Sequence, residues 1–401
     1  MKITEFETIQ LEEFPNILFV HVHTDQGLVG LGETFFGAKA VAGFIHETAA
    51  PRLLGQDALA IDKHSKALLN YYVGYSSSGA EVRAASAIDI ALWDLLGQVT
   101  GQPIHQLLGG LTRERVRTYN TCAGYQYVRS AGRQGVATFA VGKKSKARPY
   151  EDLDAFLNRA DELAHSLLEE GITGMKIWPF DFAAEASGGL YISAGDLKKA
   201  LEPFAKIRKA VGDKMDIMVE LHLLWNLPTA KKIFAALEEF NPFWFEDPIK
   251  MNNFDALAEL AATTRVPITA SETLATRFAF RDLMARKAAG IIMPDLSWVG
   301  GISEAKKVAT MAEAHHLPVA PHDCTGPITF VASIHLSLNA PNALIQESVR
   351  AYYSDWYREL VTVMPRIEKG YIYPMTGPGL GTKLKPEVLK RKDAIIQRSK
   401  L

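Results

Sequence analysis

Six ionisable residues recur at nearly regular intervals through the second half of this sequence. They are Glu220, Glu246, Glu272, Asp295, His322 and Glu347. Each one ends a short apolar run, and successive members lie 23 to 27 residues apart. One strand, one helix and the two loops that join them need about this length. The period therefore predicts that each residue stands at the carboxyl end of a strand, in consecutive βα units.

Three of these residues, Glu220, Glu246 and Glu272, are predicted to hold a metal ion. Carboxylates on neighbouring strand ends repel one another unless a cation lies between them, and Mg²⁺ prefers oxygen ligands in octahedral geometry. Three protein ligands leave positions for a substrate carboxylate and for water. The alternative, glutamates that are solvated or paired with Arg and Lys, is less favoured because all three share the same spacing.

Two histidines are predicted to move protons. His322 is the candidate base, since imidazole titrates near neutral pH, and Asp295 on the neighbouring strand would fix its tautomer. His222 follows Glu220 by two residues. If the strand continued, both side chains would point into the same mouth, and a protonated His222 would be a general acid. The alternatives are a structural Asp295–His322 pair and a His222 that contacts Glu246 or solvent.

Two further residues complete the predicted site. Lys176 is expected to bind a substrate carboxylate or to lower a neighbour's pKa, and Glu347, if protonated, to donate a hydrogen bond to an enolate oxygen. Both have an alternative role as ion-pair members that line the barrel. His21 and His23 have the i, i+2 spacing seen in metal sites. Because the sequence places no carboxylate or cysteine partner near them, a cross-strand role is favoured.

The apolar runs predict the fold class, an α/β protein built on a (β/α) TIM-like barrel. The eight runs are 116–121, 174–178, 215–220, 243–246, 267–272, 290–295, 317–322 and 343–347. Amphipathic helices are predicted between them at 151–169, 197–210, 228–239, 253–264 and 302–315. In a barrel the strand ends converge on one mouth, whereas a doubly wound sheet would spread them along an edge. The stretches 125–150 and 181–196 are predicted to be long loops.

The first 115 residues are predicted to form an α+β capping domain. Two alternating runs around an Asp-Gln-Gly turn precede three stretches of helical periodicity. The runs are 16–24 and 28–35, and the helical stretches lie near 39–52, 59–73 and 80–99. The predicted domains are 1–115 for the cap, 116–360 for the catalytic barrel and 361–401 for a segment that returns to the cap.

The composition of the chain argues against several classes of protein and partner. The chain has 401 residues, a formal net charge of −1 and two cysteines, Cys122 and Cys324. Balanced charge argues against a nucleic-acid partner, and two cysteines argue against a disulfide framework. The polar start MKITEFETIQ lacks the apolar core of a signal peptide, and no uncharged apolar run reaches the ~18 residues of a membrane span. A soluble cytoplasmic protein without a membrane partner is expected.

Fragments along nearly the whole chain resemble the enolase superfamily, in its mandelate racemase group, and within it the acid-sugar dehydratases similar to galactonate dehydratase. They are SAIDIALWDLLGQVTGQPIHQLLGG (86–110), VELH (219–222), FEDP (245–248), SETLATR (271–277), PDLSWVGGISE (294–304), APHDCTGPI (320–328) and IQES (345–348). The resemblance implies Mg²⁺ on the three glutamates and Asp295–His322 as the base. It also implies that His222 is the acid for the departing hydroxyl and that Glu347 lies beside the enolate oxygen.

The resemblance further implies an octameric homo-oligomer and an N-terminal lid in which Phe14, Phe36 and Tyr75 are candidates to touch substrate. Two positions depart from the group's pattern. Its first metal ligand is usually Asp, and here it is Glu220. Its racemases carry Lys-x-Lys at the end of the second strand, and here Trp178 replaces the second lysine. The replacement removes the base from one face of the substrate and argues against racemisation.

The expected reaction is therefore the dehydration of a sugar acid, in which the proton α to the carboxylate is removed and the 3-hydroxyl leaves, giving a 2-keto-3-deoxy acid. One alternative is a cycloisomerase of an anhydro-sugar acid or a sugar lactone that uses the same enolate intermediate. An alternative of another class is a non-catalytic scaffold that retains the fold. The complete set of carboxylates and the His–Asp pair argue against the scaffold.

Overall fold

The computed structural model describes residues 1–69, 78–127, 135–136, 139 and 150–401. It confirms the predicted fold class, a parallel (β/α) barrel with an N-terminal α+β capping domain. The sheet of the capping domain contains three N-terminal strands, β1 (Ile3–Leu11), β2 (Phe14–Thr24) and β3 (Val29–Phe35). The first of these was not predicted. Its alternating side chains suit a strand that pairs on both sides, with β2 and with the C-terminal strand.

One face of this sheet is covered by helices. They are α1 (Ala38–Phe44), α2 (Ala50–Leu53), α3 (Ile61–Leu69), α4 (Ala80–Thr100) and α5 (Ile104–Leu107), with a π-helical turn at Ile45–Ala49. Helix α4 lies so close to β3 that a Cβ on Gly30 would come within 2.1 Å of the Ala91 carbonyl oxygen, and one on Gly32 within 1.8 Å of that of Ala87. Both glycines are therefore required by the close approach of helix and strand.

The barrel strands are parallel and short. They are β4 (Val116–Thr121), β5 (Gly174–Ile177), β6 (Asp216–Glu220), β7 (Trp244–Glu246), β8 (Ile268–Ala270), β9 (Ile291–Ile292) and β10 (Gln346–Ser348). The run 317–322 was predicted to be a full strand, but it pairs only through Val319, which bridges Ile292 on one side and Ala343 on the other. Pairing of β10 with β4 closes the ring. All eight predicted runs thus take part in the barrel.

Helices surround this ring. They are α6 (Asp152–Asn158), α7 (Ala160–Glu169), α8 (Asp181–Ser187), α9 (Ala194–Val211), α10 (Leu227–Leu237), α11 (Phe254–Ala261), α12 (Thr276–Ala285), α13 (Gly301–Ala314) and α14 (Pro327–Asn339). Helix α8 corrects the prediction of a continuous loop over 181–196. The predicted loop 125–150 falls mostly outside the described residues.

The chain after the barrel returns to the capping domain. A short helix and three strands follow β10, namely α15 (Tyr357–Leu360), β11 (Ile367–Glu368), β12 (Tyr371–Ile372) and β13 (Ala394–Lys400). Strand β13 pairs antiparallel with β1, so that both ends of the chain contribute to one sheet. No helix in the described part of the chain combines the length and apolar character needed to cross a lipid bilayer.

Candidate active site

The three predicted metal ligands meet at the carboxyl ends of neighbouring strands. Glu220 and Glu246 lie opposite each other in the register of β6 and β7, and Glu272 lies two residues beyond β8. One carboxylate oxygen from each residue lies within 4.8 Å of the other two. Glu220 and Glu246 are 2% and 0% exposed, so water cannot disperse their mutual repulsion.

The charges of this group fit a divalent cation. Burial, reinforced by Glu220, raises the pKa of Glu246 well above its usual range, and burial raises the pKa of Glu272. Burial also acts against ionisation of Glu220, but His222 and Lys176 outweigh it and lower that pKa to about 2. Three converging oxygen donors, two of which resist ionisation without a counter-charge, are the donor set that a hard cation takes.

Asp247 is a buried carboxylate beside this group that the sequence reasoning did not single out. Its backbone is left-handed, with φ 43°, and its Oδ2 accepts a hydrogen bond of 2.7 Å from Ser271 Oγ. Its Oδ1 has no protein partner among the described residues. Burial, followed by Glu272 and Glu220, raises the pKa of Asp247. A signal was present in the FEDP segment, where this aspartate directly follows Glu246.

Lys176 supplies positive charge inside the carboxylate group. Its Nζ lies 2.5 Å from Glu246, 2.8 Å from Glu347 and 3.4 Å from Glu220, and the residue is 2% exposed. Burial favours the neutral amine, but Glu246 and Glu347 outweigh it and raise the pKa of Lys176. Of the two roles predicted for this lysine, these contacts favour the lowering of neighbouring pKa values.

Glu347 lies at the end of β10 and is fully buried. It accepts hydrogen bonds from Thr121 Oγ1 and from the Asp323 backbone N–H. Burial opposes its ionisation, but Lys176 and His322 lower its pKa overall. The structure thus places an ionised carboxylate where the sequence reasoning required a protonated one, and a role for Glu347 at an enolate oxygen stays a prediction.

His322 and Asp295 form the pair that the strand period predicted. His322 Nδ1 lies 2.7 Å from Asp295 Oδ2, and its Nε2 lies 3.2 Å from Glu272 Oε2. Asp295 is itself held by Ser297, whose backbone N–H and hydroxyl both donate to Oδ1 at 2.6 Å. Burial favours the neutral imidazole, but Glu272 and Glu347 outweigh it and raise the pKa of His322 to about 10.

His222 reaches the mouth by a turn and not, as the sequence reasoning assumed, by continuation of the strand. Strand β6 ends at Glu220, and His222 has a left-handed backbone with φ 49°. The backbone N–H groups of Leu221 and His222 both donate to Glu220 Oε1. His222 Nδ1 lies 2.7 Å from Asp181 Oδ2, and the side chain stays 19% exposed to solvent.

Asp181 is the second functional candidate that the sequence reasoning missed. It begins helix α8 and is buried. Burial favours the neutral form of His222, but Asp181 and Glu220 outweigh it and raise the pKa of His222 to about 9. This shift favours the protonated form of His222 at neutral pH. The partners are 41 positions apart in the sequence, and no sequence signal pointed to the pair.

The two histidines share a cavity with the carboxylates. Lys176, Glu220, Glu272, His222 and His322 all line it. The remaining predicted residues contact this lining, Glu246 and Glu347 through Lys176 and Asp295 through His322. The structure therefore brings all eight predicted site residues together at one barrel mouth.

Aromatic residues form the rest of the cavity wall. Trp178, which replaces the second lysine of the racemase pattern, lines the cavity with its ring centroid 5.8 Å from that of His222. Phe36 also lines it. Phe14 instead stacks on Trp356 at 4.8 Å and is 2% exposed. Tyr75 lies outside the described residues.

A larger cleft, of about 870 Å³, lies between helices α3 and α12. Its charged side chains include two ion pairs, Arg277 with Glu304 at 2.7 Å and Lys307 with Asp62 at 2.6 Å. These pairs balance the charges of the cleft, and among the residues that the structure describes no group of metal-ligating side chains converges there. The smaller cavity at the barrel mouth is therefore the candidate active site.

A capping domain over a barrel whose strand ends carry carboxylates and a His–Asp pair is the architecture of one protein class, the enolase superfamily. A family model described as "Enolase C-terminal domain-like" matches residues 159–388, and one described as "Mandelate racemase / muconate lactonizing enzyme, N-terminal domain" matches residues 6–109. The chain belongs to this family, which confirms the resemblance found in the sequence. Members of the superfamily generally bind a divalent metal ion, and the three glutamates form a group that could hold one.

Individual relatives cover almost the full chain. A protein of Verminephrobacter eiseniae named D-galactonate dehydratase is 32% identical over 392 residues, 96% of this chain and 92% of that protein. A protein of the same name from Ralstonia nicotianae is 33% identical over 96% of this chain and 92% of its own length. A crystal structure of an enolase of the mandelate racemase subgroup from Agrobacterium tumefaciens is 54% identical, covers 100% of this chain and 99% of its own, and superposes with a TM-score of 0.88.

Proposed function

We propose that this chain is a Mg²⁺-dependent dehydratase of a sugar acid. The observation that carries the proposal is that two histidine–carboxylate pairs, His322–Asp295 and His222–Asp181, border one cavity together with the carboxylate group. A base and an acid on one substrate are what elimination of water requires. The relatives named D-galactonate dehydratase support the same reaction class.

In the proposed mechanism the base is His322. Its Nδ1 is held by Asp295, which leaves Nε2 to take the proton from the carbon next to the substrate carboxylate. Nε2 now lies beside Glu272. Glu272 is the largest of the influences that raise the pKa of His322, so balancing its charge would favour the neutral form that a base needs. Bound Mg²⁺, held by the three glutamates, would supply that balance and stabilise the negative charge that develops on the substrate carboxylate.

The acid is His222. Asp181 holds its Nδ1 and keeps the ring protonated, so Nε2 can donate a proton to the 3-hydroxyl as the C3–O bond breaks. One water leaves, and the enol that forms tautomerises to a 2-keto-3-deoxy acid. The indole of Trp178 accepts no proton, so the opposite face carries no base at this position, which favours elimination over racemisation.

Two histidine variants test the assignment of His322 as the base and His222 as the acid. We expect His322→Asn to abolish exchange of the α-proton in deuterated water and to lower kcat by about 10²- to 10⁴-fold. We expect His222→Asn to retain the exchange but to lose formation of the 2-keto acid. His165→Gln, an exposed histidine on α7, is the matched control.

Purified protein with Mg²⁺ and a panel of acid sugars provides the assay, with products identified by NMR. Exchange at the wild-type rate in His322→Asn would show that the base is wrongly assigned. A ring-opened product formed without loss of water would support the cycloisomerase, and absence of Mg²⁺ binding at the glutamates would support the scaffold. The domain bounds 1–115, 116–360 and 361–401, the octameric state and the cytoplasmic location stay predictions.

A further inference from the structure

A second group of metal-ligating side chains lies on the capping sheet, outside the barrel mouth. It contains Glu7 of β1 and His21 and His23 of β2, and one ligand atom from each lies within 4.8 Å of the other two. Glu7 stands directly opposite His21 in the antiparallel register. The reason for assigning these histidines a purely structural role was the absence of a carboxylate partner in the nearby sequence, and sheet pairing supplies that partner.

The donor atoms lie close to one another. His21 Nδ1 lies 2.8 Å and His23 Nε2 lies 3.6 Å from the same oxygen, Glu7 Oε2. In a tetrahedral zinc site with bonds of about 2.0 to 2.1 Å, neighbouring donor atoms lie roughly 3.3 Å apart. His23 Nε2 is shielded from solvent and has no hydrogen-bond partner among the described residues. A bound cation would satisfy this nitrogen.

Oε1 of Glu7 accepts hydrogen bonds from an arginine, which leaves Oε2 to face a metal. Arg398 of β13 donates to Glu7 Oε1 from Nη2 at 2.6 Å and from Nε at 2.8 Å. Such a contact behind a ligand carboxylate orients it toward the ion. The hydrogen bond from His21, the nearby ring of His23 and the hydrogen bonds from Arg398 hold the pKa of Glu7 far below its usual range, which favours the ionised carboxylate that a metal needs.

The charges on the strands packed around this group nearly cancel. Arg398 and Lys400 also face Glu5, at 3.3 Å and 3.4 Å, so two cations are balanced by Glu5 and Glu7. The two histidine rings therefore add ligands to a region without excess positive charge. The side chains of His21 and His23 are 12% and 29% exposed, which gives an ion a route from solvent.

We propose that Glu7, His21 and His23 bind one Zn²⁺, with water as the fourth ligand. Imidazole with one carboxylate suits Zn²⁺, whereas Mg²⁺ requires near-octahedral oxygen coordination. The two sites thus differ in their donor atoms, which are carboxylate oxygens at the barrel mouth and mainly imidazole nitrogens on the capping sheet. The ion ties β1 to β2 and, through Glu7 and Arg398, to β13, so it fastens both ends of the chain within one sheet.

The amount of bound zinc in variants of each site distinguishes the capping-sheet site from the barrel-mouth site. Full-length protein stripped by a chelator is dialysed against fixed free Zn²⁺, and bound metal is measured by atomic emission. We expect two equivalents in the native protein, because the mouth carboxylates also accept Zn²⁺. We expect one equivalent in His21→Gln/His23→Gln, one in Glu220→Gln/Glu246→Gln, and two in the exposed-histidine control His165→Gln.

Cobalt substitution gives an independent readout of geometry. Co²⁺ should produce intense tetrahedral visible bands in the native protein and in Glu220→Gln/Glu246→Gln, and none in His21→Gln/His23→Gln. Should the double histidine variant fold poorly, the single change His23→Gln makes the same test, because this ring nitrogen has no partner to lose. Undiminished zinc content in the histidine variants, or no zinc in Glu220→Gln/Glu246→Gln, would overturn the proposal.

Discussion

Two groups of buried carboxylates in this protein have different roles. The mouth group comprises Glu220, Glu246 and Glu272 at the barrel strand ends. The junction group comprises Glu33, Asp89 and Asp94, which extend from the capping domain. Burial acts on both groups in the same direction, against ionisation. What differs is the set of donors around each carboxylate.

Two of the junction carboxylates accept hydrogen bonds from backbone N–H groups at the starts of barrel helices, whereas Asp94 accepts from the backbone N–H groups of Leu31 and Leu380. Glu33 accepts from Ile328 and Thr329 in the first turn of α14 at 3.1 Å, and Asp89 accepts from Ser303 in the first turn of α13 at 2.9 Å. An unpaired N–H and the positive end of the helix dipole both favour an anion there. These contacts therefore fasten the capping domain to the barrel.

The mouth carboxylates face one another, and the backbone N–H groups that Glu220 accepts from belong to its own strand end, not to a second domain. Glu246 relies on Lys176 and on Trp244 Nε1, and Glu272 contacts His322. The comparison teaches that burial alone does not mark a functional carboxylate. The feature that distinguishes the mouth group is the close approach of its three carboxylates to one another, since Glu220 also accepts backbone N–H hydrogen bonds.

The largest effect is expected from a substitution in the mouth group. Glu246→Gln removes a ligand and a repelling charge together, so we expect loss of Mg²⁺ binding and a fall in kcat of about 10³-fold. The free energy of unfolding without metal should change by less than about 1 kcal/mol. Calorimetric Mg²⁺ titration and urea unfolding measure both effects. Retained Mg²⁺ affinity would remove Glu246 from the ligand set.

A substitution in the junction group is expected to affect stability instead. Asp89→Ala leaves the Ser303 N–H and hydroxyl unpaired in a buried place, so we expect the free energy of unfolding to fall by about 3 kcal/mol. Asp62→Ala is the matched control on the same interface, because Asp62 forms an exposed pair with Lys307 and should cost under about 1 kcal/mol. Equal losses in the two variants would contradict the fastener role.

A smaller effect sharpens the role of Asp181. With Asp181→Asn, His222 loses its largest attraction, and its pKa falls from about 9 toward the ordinary value. The basic limb of the kcat–pH profile should move to lower pH, with a loss of about ten-fold at pH ~8 and little at pH ~6. Glu185→Gln, an exposed change on the same helix, is the control. An unshifted profile would remove Asp181 from the mechanism.

The smallest effect concerns pH and the junction. Burial raises the pKa of Glu33 to about 7, against the hydrogen bonds from Thr329. Because the folded state holds this proton more tightly, its contribution to stability is complete below pH ~4.5 and is lost as pH rises through ~7. Relative to Glu33→Gln, the wild type should lose on the order of 1 kcal/mol over this window in urea unfolding. Parallel curves for the two proteins would show that Glu33 does not titrate there.

Most residues of the barrel mouth could be predicted from the sequence, because the lengths of the strands, helices and loops fix where strand ends occur along the chain. A strand, a helix and two loops have a limited range of lengths, so residues at strand ends recur with the period that located Glu220, Glu246 and Glu272. Their convergence follows from barrel closure. Strand lengths were overestimated, above all at 317–322, because an apolar run does not show how many of its residues form ladder hydrogen bonds.

Other parts of the site left no local signal. Asp181 begins a helix in a stretch that composition favoured as a loop, and its contact with His222 depends on a left-handed turn after β6. Strand β1 escaped prediction because its polar alternation resembles an exposed segment until β2 and β13 pair with it.

The sequence by itself determined the barrel, the order of its strands and which side chains stand at their ends, since these follow from spacing along the chain. Tertiary structure alone decided the partners, namely Asp181 for His222, Lys176 among the glutamates, and Glu7 beside His21 and His23. The physical reason is that contacts between distant segments depend on sheet register and turn geometry, and these are settled only when the whole chain packs.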